Sequence, residues 1–207
     1  AAGPPPVAVG WGSMVPERMT AAELLLLALR VLSAVQRRAV ILGGWARLER
    51  LACDLMAGRP FEGSAAVSPA ELEALSEFAR RRCCFVPSVP HGWLFPRCSC
   101  VVHHGGAGTT QTVLSCGRPS VITPVWIDQF WWAAAVMRHR VGVGFTEALP
   151  DLTGRVAELA EAIAAAEELT PNAEKLGEAV RGEDGVGCAV RLLTGFARNR
   201  AEGQDLA

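Results

Sequence analysis

The sequence predicts an α/β domain, a parallel six-stranded sheet covered by helices on both faces. Three observations carry this. Short apolar runs recur along the 207 residues, each suited to a buried strand and too brief for a helix. Segments of helical period separate them, and that alternation marks parallel strands joined by crossover helices. Several runs end in glycines, as strands do where the backbone must turn sharply.

Residues 1–6, Ala-Ala-Gly-Pro-Pro-Pro, read as a linker remnant, with neither the basic start nor the apolar run of a signal peptide. The domain itself spans 7–200, and 201–207 form a tail. Val7 to Val9 is the first strand, closed by Gly10-Trp11-Gly12-Ser13. A helix follows from about Thr20, where Thr20 and Glu23 have the spacing of a capping box, and runs to about Arg37. Its apolar core, Ala21 to Val35, contains Glu23 and Arg30 and falls short of the roughly 20 apolar residues a bilayer span needs. Ala39 to Leu42 is the second strand, ended by Gly43-Gly44. The stretch at about 49–67 shows no period, contains Gly58, Pro60 and Gly63, and is read as a variable loop. Ser68 and Pro69 mark the next helix start, as N-cap and first helical residue.

Strands are expected at Cys83 to Val86, Cys100 to Val102, Pro119 to Thr123 and Gly142 to Phe145. Helices are expected at about Thr109 to Cys116 and Asp128 to Arg138, with three more near 153–166, 172–181 and 186–198. The whole reads as a Rossmann-like sheet.

Twenty basic and 21 acidic side chains leave a formal charge of −1, which gives no electrostatic footprint for nucleic acid or an anionic membrane. An anion bound here must be held by a local arrangement. The seven cysteines include no C-x-x-C pair and no zinc-ligand spacing, so reduced thiols and no metal site are expected.

Ligands of open parallel sheets bind outside the carboxyl ends of the strands. Gly105, Gly106 and Gly108 stand at such an end, directly before a helix whose free amides and positive dipole end suit a diphosphate. No Lys-Ser/Thr follows, and the dinucleotide spacing G-x-G-x-x-G is not met, so neither of those phosphate motifs applies. His103 and His104 precede the loop, and strand alternation sends them to opposite faces, so at most one reaches a phosphate. For such a pair alone, the ordinary reading is a ring satisfied by backbone. Asp128 beside Gln129 can accept from and donate to vicinal hydroxyls, the chemistry of sugar recognition, and Asp128 is also placed to cap its helix. Trp126, Trp131 and Trp132 either line a pocket or pack into the helix interface. Ser88-Val89-Pro90-His91 could wall a flat base.

Together these segments resemble family-1 glycosyltransferases of GT-B architecture, above all the sterol 3-beta-glucosyltransferases and bacterial enzymes that glycosylate antibiotics. The matching pieces are VAVGWGSM at 7–14, LGGW at 42–45, VPHGWLFPRCSCVVHHGGAGTT at 89–110, GRPSVITPVWIDQFWWAAAV at 117–136, GVGF at 142–145 and LGEAVRGEDGV at 176–186. The resemblance implies the C-terminal, donor-binding half of a GT-B fold, with the N-terminal acceptor domain absent from this chain. It implies a UDP-sugar co-substrate, UDP-glucose first among them, and no metal or other cofactor. It places Ser88, Val89 and His91 at the uracil, and Ser13, His104, Gly106, Ala107, Gly108 and Thr109 at the diphosphate. Asp128 and Gln129 would hold the sugar. The plant ribose-binding glutamate is replaced by Thr112, which leaves that contact open. The implied reaction is inverting glucosyl transfer to a sterol or other lipophilic hydroxyl. Its catalytic base would lie in the missing domain, so this chain alone is expected to be inactive. The implied location is cytoplasmic, with any membrane association of a longer protein made through other regions. A donor subunit completed by a partner chain, and a non-catalytic UDP-sugar-binding module, are the alternatives.

Overall fold

In a computed structural model, residues 3–201 are described. The first two residues of the expected linker and residues 202–207 of the expected tail lie outside the described residues. The six strands are β1 (Val7–Gly10), β2 (Ala39–Leu42), β3 (Cys83–Val86), β4 (Val101–His103), β5 (Ser120–Ile122) and β6 (Gly142–Gly144). They form one sheet in the order β3-β2-β1-β4-β5-β6, every neighbouring pair parallel. The order reverses between β1 and β4, and in a doubly wound sheet a crevice opens at that reversal.

The helices are α1 (Ala21–Ala34), α2 (Leu48–Met56), α3 (Pro69–Arg82), α4 (His91–Leu94), α5 (Ala107–Ser115), α6 (Gln129–Arg138), α7 (Val156–Glu168), α8 (Thr170–Gly182) and α9 (Gly185–Ala201). Helices α1, α2, α3 and α7 pack together in one layer, and α4, α5, α6 and α8 are linked in the other. Leu24, Leu25, Leu29 and Leu32 of α1 are almost wholly removed from water, and they join strand residues Val7, Val9 and Ile41 in the main core. Truncating such a leucine to alanine typically costs about 2–5 kcal/mol. The apolar run 21–35 is therefore a core helix. Among the described residues, no helix is long and apolar enough to cross a membrane.

Both expected helix starts form as read. The Thr20 hydroxyl accepts from the Glu23 amide, while Glu23 accepts from the Thr20 amide at 2.7 Å. The Ser68 hydroxyl accepts from the Glu71 amide, with Pro69 opening the helix.

The stretch 49–67 needs correction. Its first part is helix α2, which buries Leu48, Ala52 and Leu55 along one face. The residue before it, Arg47, has a left-handed backbone (φ 52°) and makes no side-chain cap, so no ordinary start signal was present to read. Beyond Met56 the chain turns at Gly58 and Gly63 and forms a single tight turn at Ser64–Ala66. Strand β4 lies one residue later than expected, at Val101–His103, and α5 begins two residues earlier, at Ala107. The base-wall segment contains a short helix, α4, that the sequence reading did not anticipate.

Candidate donor site at the sheet reversal

The three glycine-rich strand ends converge. Gly44 follows β2 with φ +55°, and a Cβ there would lie 2.2 Å from the Gly12 carbonyl oxygen. The Trp45 amide donates to that same oxygen at 2.9 Å, which ties the β2 loop to the β1 loop. Across the reversal, Gly105 turns with φ +90°, and a Cβ there would meet Ile122 at 2.6 Å. No other residue type fits either position without displacing backbone or core.

These contacts leave a cleft of about 100 Å³ lined by Gly12, Gly44, Ser88, His91, His104 and Thr109, among others. It therefore gathers Ser88, His91, His104 and Thr109 of the expected donor residues. Val89 packs against the core cluster of Leu42, Leu94 and Phe95 instead. His91 stacks on Phe95, with ring centroids 4.6 Å apart and 19° between planes. Ser13 and Gly108 are exposed beside this region, and Gly106 and Ala107 are half-buried at the start of α5. The lining residues Gly44 and Phe95 were not among the expected donor contacts. The glycine pair after β2 was the available signal for the first, and the second had none.

Both adjacent histidines line the cleft, and they differ in what their ring nitrogens bind. His103 is 1% exposed; its Nε2 pairs with Ser120 Oγ at 3.1 Å, and its Nδ1 accepts from the Gly105 amide at 3.1 Å. Burial, with smaller effects from His104 and His91, pushes its pKa down to about 3. It is a neutral brace for the glycine turn. His104 borders the cleft as well, and its Nδ1 is buried without a hydrogen-bond partner. A Cβ at Gly106 would come within 2.5 Å of His104 Nε2, so only glycine leaves that ring its place. Burial lowers the His104 pKa, and the nearby Asp128 carboxylate opposes the shift. His91 is also lowered by burial. All three rings are thus neutral at pH 7, and positive potential here comes from amides and the α5 dipole.

Helix α5 has Gly106 at its N-cap and no side-chain cap. The early amides of a helix lack intrahelical partners, so Ala107, Gly108 and Thr109 present donors toward the reversal. The Thr110 and Thr112 hydroxyls donate back to the Gly106 and Gly108 carbonyls, at 3.0 and 2.8 Å.

The loop after β5 differs from expectation in two respects. Asp128 is exposed and makes no side-chain cap on α6. Gln129 is 4% exposed, and its Oε1 accepts from the amides of Val125 (2.7 Å) and Trp126 (3.1 Å). Gln129 is therefore an anchor of the turn, and its Nε2 has no protein acceptor among the described residues. Trp132 packs against the cluster under α6, while Trp131 meets it edge-on at 4.7 Å and stays exposed.

The model of the erythromycin biosynthesis protein CIII-like C-terminal domain family matches residues 71–183, more than half of the chain. The chain belongs to this family of glycosyltransferase C-terminal domains. It is 34% identical over 197 residues to a sterol 3-beta-glucosyltransferase of Arabidopsis thaliana, covering 93% of this chain and 26% of that protein. It is 32% identical over 195 residues to a vancomycin aglycone glucosyltransferase of Amycolatopsis orientalis, covering 93% of this chain and 39% of that enzyme. The chain thus spans between a quarter and two-fifths of these relatives. Among solved structures, the spinosyn rhamnosyltransferase SpnG matches with TM-score 0.65 and 20% identity, over 93% of this chain and 45% of that one. A UDP-glucose:anthocyanidin 3-O-glucosyltransferase in complex with UDP matches with TM-score 0.59 and 18% identity, over 86% and 36%. At those identities the structural likeness establishes the GT-B-type fold.

Proposed function

We propose that this domain binds a UDP-sugar, with UDP-glucose as the donor to test first. It would supply the donor half of an inverting transfer to a lipophilic hydroxyl such as a sterol. The observation that supports this best is the sheet-reversal cleft, where an unpaired His104 nitrogen and an uncapped helix start face glycine turns. An unpaired buried polar group costs about 1–3 kcal/mol, which a diphosphate with the complementary groups would recover. His91 and Ser88 would flank the uracil, Ser13 and the 106–109 backbone the phosphates, and exposed Asp128 the sugar hydroxyls. Gln129 would act mainly by holding the turn, leaving only its Nε2 to a hydroxyl. In this reading, developing charge on the leaving UDP is stabilised by helix-end amides and His104 without a metal ion. The acceptor's base lies on another domain, and transfer takes place in the cytoplasm.

The test is calorimetric titration of the chain with UDP and UDP-glucose, alongside His104→Ala and Asp128→Ala. The proposal expects both ligands to bind and His104→Ala to weaken both about tenfold. It expects Asp128→Ala to weaken UDP-glucose alone. A folded chain that binds neither ligand would overturn it.

A further inference from the structure

A second concavity opens beside the first, and none of the residues assigned to the donor lines it. It encloses about 340 Å³ between the loops that follow β1, β5 and β6, and its walls include Met14, Val15, Pro16, Val125, Trp126 and Pro150. That volume is within the range of small-molecule sites. Of its two charged lining residues, Arg18 is bound to both carboxylate oxygens of Asp151 at 3.0 Å each. A phosphate would therefore find no free cation among the lining residues. Glu17, exposed and without a salt bridge among the described residues, is suited to accept from a hydroxyl.

The loop after β5 is built to present apolar side chains here. Ile127 is branched at Cβ yet holds φ +50°, a conformation that such residues rarely adopt. Gln129 Oε1 locks the turn from beneath. As a result Trp126 is 61% and Ile127 69% exposed, with Val15 at 45% on the facing loop. Strained backbone of this kind clusters at functional sites, and here it stands next to Trp126, the exposed aromatic of the cleft wall. The two walls also continue directly into the donor residues: Ser13 precedes Met14, and Asp128 lies two residues beyond Trp126.

We infer that this cleft is an acceptor subsite, seating an apolar ring of the molecule that receives the sugar, with Trp126 and Val15 as its selective walls. The inference rests on the donor reading above, in which Ser13 holds the phosphates and Asp128 places the sugar at the cleft's edge. Its occupant is a neutral polycyclic alcohol. The acceptor is thus selected in part by this domain.

The chain's six tryptophans permit a direct test by 19F NMR after 5-fluorotryptophan labelling. Lines are assigned with Trp126→Phe, Trp45→Phe and Trp93→Phe, and the chain is titrated with dehydroepiandrosterone and, separately, with UDP. The steroid should move the Trp126 line in proportion to occupancy and leave the Trp45 and Trp93 lines in place. Val15→Asp, at an exposed position, should weaken the steroid titration at least fivefold with UDP affinity unchanged. UDP binding with no steroid-dependent Trp126 shift overturns the subsite and leaves the donor reading standing. A Trp126 shift in a chain that does not bind UDP overturns the donor reading, and with it the role of this cleft as an acceptor subsite.

Discussion

The loops after β4 and β5 leave neighbouring parallel strands and solve the same turn by opposite means. After β4, glycines remove side chains, so helix-end amides stand open and one histidine nitrogen stays unpaired. After β5 the six residues Pro124 to Gln129 include no glycine; the turn is forced through Ile127 and sealed by the carbonyl oxygen of a buried glutamine. The first loop is shaped to receive a group, the second to hold side chains out toward one. The two are joined at Gly105, where an added Cβ would meet both Ile122 and the Gln129 backbone.

That junction gives the largest expected effect. Gly105→Ala, at φ +90° and 2.6 Å from Ile122, should destabilise the fold by about 3 kcal/mol in urea denaturation. A change below about 1 kcal/mol would mean the loops are not packed as described. Next, Gln129→Ala strips the acceptor from two amides and should cost about 2 kcal/mol, while Asp128→Ala, at an exposed position, changes stability little. Equal effects from these two neighbours would dissolve the contrast between anchor and presented residue.

The brace beneath the first loop sets a pH dependence. His103 is held near pKa 3 against an ordinary 6.5, so below pH 6.5 the unfolded chain binds a proton that the folded chain refuses. Its contribution is complete above pH 6.5 and is lost as pH falls toward 3, amounting to about 2 kcal/mol by pH 5. In His103→Gln, denaturation free energies should fall less between pH 7 and 5 by about that amount. The smallest effect is a gain. Ile127→Gly relieves left-handed strain at an exposed position and, after glycine's added unfolded-chain entropy, should stabilise by about 0.5 kcal/mol. A loss of stability there would show that the turn is unstrained.

The contrast between the loops was only half legible in the sequence. Strand ends followed by glycines announced the sheet, the reversal and the first loop, because glycine is a local signal for close backbone approach. Alternation also predicted that at most one histidine of the pair would reach a phosphate; both rings line the cleft, but both nitrogens of His103 are bound within the fold. The histidine with an unpaired nitrogen is His104, and nothing local distinguished it from the one committed to Ser120 and Gly105. The roles of Asp128 and Gln129 were not readable, because the glutamine's bonds run backward to Val125 and Trp126 around a turn that carries no glycine. Helix α2 escaped for a similar reason: it begins after left-handed Arg47 without a cap, and its burial depends on α1 and α3. The small cleft at the reversal joins residues as distant in sequence as Gly12 and Thr109, and the larger apolar one beside it joins Val15 and Pro150.

The unpaired nitrogen of His104 belongs to a ligand, while both ring nitrogens of His103 belong to the fold. Side-chain 15N NMR of histidine-labelled protein, recorded with and without UDP, tests it most directly. UDP should shift the ring nitrogens of His104 and leave those of His103 unmoved, with the His104 response lost in His104→Ala. Saturable UDP binding with no change at His104 would contradict it.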